Sequence, residues 1–448
     1  MIDRRQFGAG IAALAFGGLA ARLSAAAPAI AGYGRLVEDP AGLIDLPRGF
    51  SYRIISELGE RMSDGLLVPD RADGMGMIPL DSRRIALVRN HELAVRHVGA
   101  DASGDPDPNR AFDRTDAGRT VPGGTTTMIY DTQTRRVESQ YQTLAGTIRN
   151  CAGGVTPWGS WLTCEEDTTR AGDGVERDHG WVFEVPGNAR GMVEPVPLKA
   201  MGRFSREAAA VDPRTGIVYM TEDRDDSLLY RFLPDARGEL HKGGKLQALG
   251  WFSRREGGDA RNWTTREIAP RSWVATRWID LDGPESPDDD LRLRGHAAGG
   301  VRFARGEGIH WGDGELYFCC TSGGPAKLGQ VMRYHPSPAE GQVGERDQPG
   351  RLQLFLESED PSVFNLGDNL TVAPNRHLIV CEDQYTDVVD NHLRGITPAG
   401  EAYPLARIRI QTEPAGVCFS PDGGTLFVNI YSPTKTLAIT GPWGRFAT

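Results

Sequence analysis

The sequence predicts an all-β protein, a six-bladed β-propeller with a metal site at one mouth of its central channel. Three observations carry that expectation. A hairpin unit recurs six times, the ends of that unit are mostly acidic or amide residues, and no long amphipathic helical period follows the N-terminal segment. The chain has 448 residues, enough for several domains, but a closed repeat makes one unit of it.

The units follow one another in order. Asp73-Gly74 leads through Pro79 to Asn90-His91-Glu92, and Asn150-Cys151 leads through Pro157 to Thr163-Cys164-Glu165-Glu166. Glu207 leads through Asp212-Pro213 to Thr221-Glu222-Asp223, and Glu307 leads through Asp313-Gly314 to Thr321. Asp368-Asn369 leads through Pro374-Asn375 to Cys381-Glu382-Asp383, and Glu413 leads through Pro421-Asp422-Gly423 to Asn429. Runs of β-branched and aromatic residues on both sides of a turn signal read as hairpins. Such a unit cannot bury its own faces, so repetition at roughly 45 to 100 residues points to radial stacking. Runs at 180–185, 229–232, 331–334 and 352–356 read as outer strands, and the Asp/Pro/Gly-rich stretches 99–120 and 283–290 as surface loops.

In a stacked hairpin the first strand starts where the second one ends. A ring of acids then lines one mouth, and its repulsion is costly unless cations lie between the carboxylates. Glu92 is a candidate ligand for a hard cation, with His91 beside it as a second ligand or an acid–base group. Cys151 stands where other units place Glu or Asp. A thiolate there selects a softer metal, while residue type alone leaves a buried apolar cysteine equally open. Glu222-Asp223 and Glu382-Asp383 are paired acids at strand ends, suited to calcium. Arg305 stands beside Glu307, either as a counter-ion or, once metals neutralise the ring, as a planar clamp for a phosphate oxygen.

The N-terminus reads Arg4-Arg5-Gln6-Phe7, a short Gly/Ala-rich apolar stretch and Ala25-Ala26-Ala27. That is the pattern of a twin-arginine (Tat) export signal, too short for a membrane span. The expected organisation is a signal over 1–31 and one domain over 32–448, exported by the Tat machinery to the periplasm or beyond. Tat substrates cross already folded, which allows a metal to be loaded before export. A net charge of −10 and a pI near 5.5 supply no basic surface for nucleic acid. Of six cysteines, five lie in apolar strand-like runs, so at most one disulfide is expected. No P-loop, dinucleotide fingerprint, nucleophile elbow or zinc-protease helix is present.

The segments Arg89-Asn90-His91-Glu92, Asn150-Cys151-Ala152-Gly153-Gly154-Val155-Thr156-Pro157-Trp158-Gly159, Leu162-Thr163-Cys164-Glu165-Glu166, Gly202-Arg203-Phe204-Ser205-Arg206-Glu207-Ala208 and Arg305-Gly306-Glu307-Gly308 together resemble the PhoX-type alkaline phosphatases. The resemblance runs from about Leu46 to near the C-terminus and makes the chain a short member. It implies a monomeric, Tat-exported propeller that hydrolyses phosphomonoesters, with a cofactor of two ferric ions (iron, Fe3+) and calcium ions (Ca2+) joined by a bridging oxide, and a metal-bound oxide or hydroxide as nucleophile. Under it Glu92, Cys151, Glu207 and Glu307 look like iron and calcium ligands, and Glu166, Asp223 and Asp383 like outer calcium ligands. Arg305 looks like the phosphate-holding arginine, paired with Glu307 in catalysis. Arg206 departs from the histidine expected there, and strand alternation turns it away from the mouth. Two other functions fit a calcium-bearing propeller: a calcium-dependent lactonase or phosphotriesterase, and a non-enzymatic binding propeller with structural metals.

Overall fold

The structure is a computed structural model that describes residues 32–99, 104, 106–384, 386–388 and 390–444. The export signal expected over 1–31 lies outside the described residues, as does part of the 99–120 loop. Among the described residues there are twenty-eight strands and a single short α-helix, Leu291–Ala297. No helix among them is long and apolar enough to cross a membrane.

Each of the six expected hairpins forms, and its first strand lies innermost. These inner strands are Ala72–Pro79, Asn150–Val155, Arg206–Val211, Gly306–Gly312, Gly367–Val372 and Pro414–Phe419. Each packs beside the next in chain order, and the last packs beside the first. Small residues make this approach possible. A Cβ on Gly154 would stand 2.1 Å from the Ala209 carbonyl oxygen, and one on Gly74 would stand 2.5 Å from Ala152 Cα. Behind the inner strands, bulky residues fill the wedges between hairpins, as where Ile78, Val88, Trp161 and Phe183 meet.

The architecture is all-β and propeller-like, but it is not six equal four-stranded sheets. Four sheets have four strands or more, with nine, six, four and four strands, and a further sheet has three. The departure comes from outer-strand pairing. Strand Trp273–Asp280 hydrogen-bonds to both Gly244–Trp251 and Arg351–Glu357, which joins two hairpin units into the nine-stranded sheet. The unit containing Cys151 ends at Val182–Pro186 as its third strand. The sheet of the last hairpin takes its outermost strand, Ser51–Glu57, from the N-terminal side, paired with Lys435–Thr440. That pairing ties the two ends of the described chain together. The expected outer strands all form, and all six cysteines are free thiols, five of them buried in strand cores.

Candidate metal centre

The mouth is built by one local device used six times. In every hairpin the register slips by one residue at the start of the inner strand: between Ala72 and Met75, Asn150 and Gly153, Arg206 and Ala209, Gly306 and Ile309, Gly367 and Leu370, and Ala415 and Cys418. A bulge leaves its extra residue unpaired and re-aims its side chain. Here it turns Asp73, Cys151, Glu207, Glu307 and Asp368 towards the channel, and Ala415 holds the sixth such place. The freed carbonyls are taken up by neighbouring hairpins. Asn90 Nδ2 donates to the Cys151 carbonyl at 3.0 Å, Thr221 Oγ1 to Glu307 at 2.5 Å and Asn429 Nδ2 to Asp73 at 2.6 Å.

Two further tiers stack on this inner one. The backbone N–H groups of Glu92, Glu166, Asp223, Thr321, Asp383 and Tyr431 donate to the carbonyls of Arg71, Arg149, Ser205, Arg305, Leu366 and Glu413, at 2.9 to 3.1 Å. The donors end the second strands and form the middle tier. The acceptors stand two residues before the inner tier and form the outer one.

Of the residues expected at the site, all but His91, Glu222 and Glu382 fall in these tiers. Cys151, Glu207 and Glu307 are inner, Glu92, Glu166, Asp223 and Asp383 are middle, and Arg305 is outer. Ligand atoms converge in three overlapping groups, Asp73–Glu92–Cys151, Cys151–Glu166–Glu207 and Glu207–Glu307–Asp368, each within 4.8 Å, and Asp223 and Asp383 are in none of them. In each acidic pair the second residue faces the mouth and the first is spent on structure. Glu165 accepts from His179 Nδ1 at 2.6 Å and from the Gly180 and Trp181 N–H groups at 2.9 and 3.0 Å. Glu222 accepts from the Tyr230 hydroxyl at 2.8 Å, and Glu382 from Arg394 Nε at 2.7 Å.

Three expectations are corrected. His91 is neither ligand nor acid–base group, because alternation points it into its own sheet, with Nδ1 2.9 Å from the Asp70 carbonyl and Nε2 2.9 Å from Thr126 Oγ1. Asp73 and Asp368, which the repeat marks as hairpin openers without singling them out as ligands, both belong to the converging groups. Their place in the repeat, equivalent to Cys151 and Glu307, was the available signal. Glu413 opens its hairpin two residues too early for the inner tier and instead shares a hydrogen bond with Asp383. Arg206 behaves as expected: it is buried away from the mouth, stacked on Phe204 at 3.9 Å, with Nη2 on the Met201 and Gly202 carbonyls.

The electrostatics are those of acids crowded without enough partners. Burial, then Glu92 and Asp368, pushes the Asp73 carboxyl well up, and burial, then Asp368 and Glu166, does the same to Glu207. Burial and the Asp383 charge bring Asp368 to about 7, and burial with Asp73 and Glu207 raises the Cys151 thiol. Asp223 moves the other way. Burial would raise it, but Arg305 grips it with Nε and Nη2 at 2.7 and 2.9 Å and holds it below its ordinary value. Arg305 also lies 3.1 Å from Glu307 Oε1. It is a counter-ion of the ring in this arrangement.

The donor set fits cations. Buried oxygens Asp73 Oδ1, Glu207 Oε2 and Asp383 Oδ1 have no hydrogen-bond partner, and an unpaired buried carboxylate oxygen is costly. An oxygen-rich cage with a single sulfur accommodates hard cations and one softer metal. Beneath the ring the inner strands enclose a channel cavity of about 490 Å³, bordered by Gly74, Gly153, Ala208, Gly308 and Asn369.

The family profile of "Alkaline phosphatase PhoX" matches residues 31–434. The chain belongs to the PhoX alkaline phosphatase family. Among solved structures, it is similar to Pseudomonas fluorescens PhoX in complex with vanadate, a transition-state analogue. That match has 19% identity and a TM-score of 0.66, and covers 91% of this chain and 97% of that one. A gluconolactonase from Xanthomonas campestris aligns with 14% identity over 91% of this chain and 98% of its own, at a TM-score of 0.42. A β-propeller domain from Myceliophteria thermophila aligns with 10% identity over 85% and 99%, at 0.42. No curated protein sequence matches.

Proposed function

We propose that the protein is a metal-dependent phosphatase that hydrolyses phosphomonoesters, with the tiered mouth as its active site. The observation that carries this is the juxtaposition of Arg305 with the metal-capable groups around Glu307 and Cys151. A lactone or other neutral ester needs neither a thiolate ligand nor an anion clamp, so the pairing favours a phosphate ester over the lactonase and binding-protein readings.

Asp73, Glu92, Cys151, Glu166, Glu207, Glu307 and Asp368 would hold the cations, with Asp223 and Asp383 at the rim. Oxygen donors suit calcium, the Cys151 sulfur suits a softer metal such as iron, and the ferric state is what the family resemblance implies. Bound there, such cations supply Lewis acidity and a water activated near neutral pH. The chain itself does the positioning. Arg305 donates to the non-bridging oxygens of the phosphoryl group and stabilises their charge as the ester P–O bond breaks and a new P–O bond to water forms. Asp223 fixes the plane of that guanidinium through its two-point contact.

The inner strands neighbour one another around the channel, which supports a ring of six blades with two of them fused by an outer strand. The Arg4-Arg5 segment supports Tat export to the periplasm, and the family resemblance implies a monomer. The deciding experiment is hydrolysis of p-nitrophenyl phosphate by Tat-exported protein, with calcium and again after chelation. Turnover abolished by chelator and restored by calcium and iron is expected. No turnover by metal-replete protein overturns the proposal. In Cys151→Ser, elemental analysis should find iron depleted and calcium retained.

A further inference from the structure

We propose that Arg149 is a second phosphoryl-binding arginine and that it sets a preference for dianionic monoesters over diesters. This rests on the phosphatase reading above but adds a residue and a specificity to it.

Arg149 occupies the same structural place as Arg305. Each stands two residues before an inner-tier ligand candidate, in Arg149-Asn150-Cys151 and in Arg305-Gly306-Glu307. Each has a left-handed backbone, with φ of +45° and +53°, a conformation that is strained for a non-glycine residue and persists where its surroundings enforce it. Each carbonyl accepts the hydrogen bond that closes its hairpin at the mouth. The side chains of Arg149 and Arg305 are 35% and 36% exposed, whereas Glu166 and Glu307 beside them are 5% and 7% exposed. The guanidiniums are therefore the part of this ring that an arriving ligand meets.

The two arginines are linked through the acids they hold. Arg149 Nη2 lies 2.6 Å from Glu166 Oε2, Glu166 hydrogen-bonds Asp223, and Asp223 receives the fork of Arg305. One carboxylate pair thus separates the guanidiniums. Arg149 also reaches Glu92 Oε1 through Nε at 2.6 Å. Glu92 and Glu166 both belong to the metal-capable groups, so cations that take over their charge leave Arg149 with donors to spend on an anion in the mouth.

Arg71 shares the tier and the left-handed backbone, but its guanidinium lies over the Tyr431 ring at 5.7 Å. A phosphomonoester dianion spreads two charges over three terminal oxygens, and a diester spreads one charge over two. One arginine fork satisfies two oxygens. A second guanidinium matches the third oxygen and the extra charge that only the monoester carries.

The test compares Arg149→Gln with the parent protein, both metal-loaded, because glutamine retains a donor towards Glu92 and Glu166. Calorimetry with inorganic phosphate should show affinity weakened by about tenfold or more, the loss of one charge-assisted contact. Elemental analysis should show metals retained. KM should rise for p-nitrophenyl phosphate and change less than about twofold for bis(p-nitrophenyl) phosphate. Unchanged phosphate affinity, equal losses for both esters, or loss of the metals from Arg149→Gln would each overturn the proposal. Failure of the parent protein to hydrolyse either ester defeats the phosphatase reading, and the phosphate titration still decides whether Arg149 binds the anion.

Discussion

Arg305 and Asp223 show how a residue's role depends on its neighbours. The two-point contact with Asp223 fixes where the planar Arg305 guanidinium lies, and its remaining donors are those that would hold a phosphoryl oxygen. Arg305→Ala should therefore lower kcat/KM for a phosphomonoester by about 10²–10³ with metal content unchanged, the scale of losing one charge-stabilising donor. Unaltered steady-state kinetics would remove Arg305 from the phosphate site. A second residue acts at one remove. His179 bridges Glu165 and Asp113, and although burial alone would lower its pKa, the two carboxylates raise it to about 9. A base raised above its unfolded value of about 6.5 adds stability that is complete below that pH and is lost as pH rises through about 9. Thermal melts from pH 7 to 10 should show that decline in the parent protein and a flatter profile in His179→Gln. The paired acids explain why the site was only partly legible in the sequence. Alternation says that neighbours face opposite ways, but which of Glu165 and Glu166 faces the mouth depends on how the hairpin closes against Arg149. Asp73 and Asp368 carried the repeat signal, yet only the bulges reveal that their side chains turn inwards.

At the scale of elements, the six hairpins were readable because turn signals and alternating apolar runs are local. The nine-stranded sheet was not, because the pairing of 273–280 with strands on both sides joins segments far apart in sequence. Glycines in the inner strands were visible as letters without visible purpose. Their purpose is contact between backbones, so that six inner strands fit round a narrow channel. Gly154→Ala would drive its Cβ to 2.1 Å from the Ala209 oxygen, against backbone that cannot swing aside as a side chain could. It should destabilise the protein by about 1–3 kcal/mol, the usual cost of overpacking. Chemical denaturation should show a lower midpoint with an unchanged slope. Gly444→Ala, which meets nothing within 4 Å, is the matching control and should leave the midpoint in place.

For the whole molecule, the ring of buried acids is a liability that metal binding converts into a stabilising feature. Without cations, carboxylates raised by burial and by one another oppose folding when they are ionised. Asp368, at about 7, sets the pH scale, and Asp73, Glu207 and Glu307 are raised in the same direction. An acid with a raised folded pKa disfavours the folded state above that pKa and is relieved as pH falls towards its unfolded value near 4. Chelated protein should therefore melt at a higher temperature at pH 5.5 than at pH 8, opposite to the usual effect of acid on paired carboxylates. Metal-loaded protein should lose that dependence and melt higher than chelated protein at pH 8, since a ligand bound only to the folded state stabilises it by mass action. Differential scanning calorimetry at the two pH values, with and without chelator, separates the cases. If chelation leaves the melting temperature at pH 8 untouched, the ring does not hold cations and its acids take up protons instead, the direction in which burial and their mutual charge push Asp383 and Glu413.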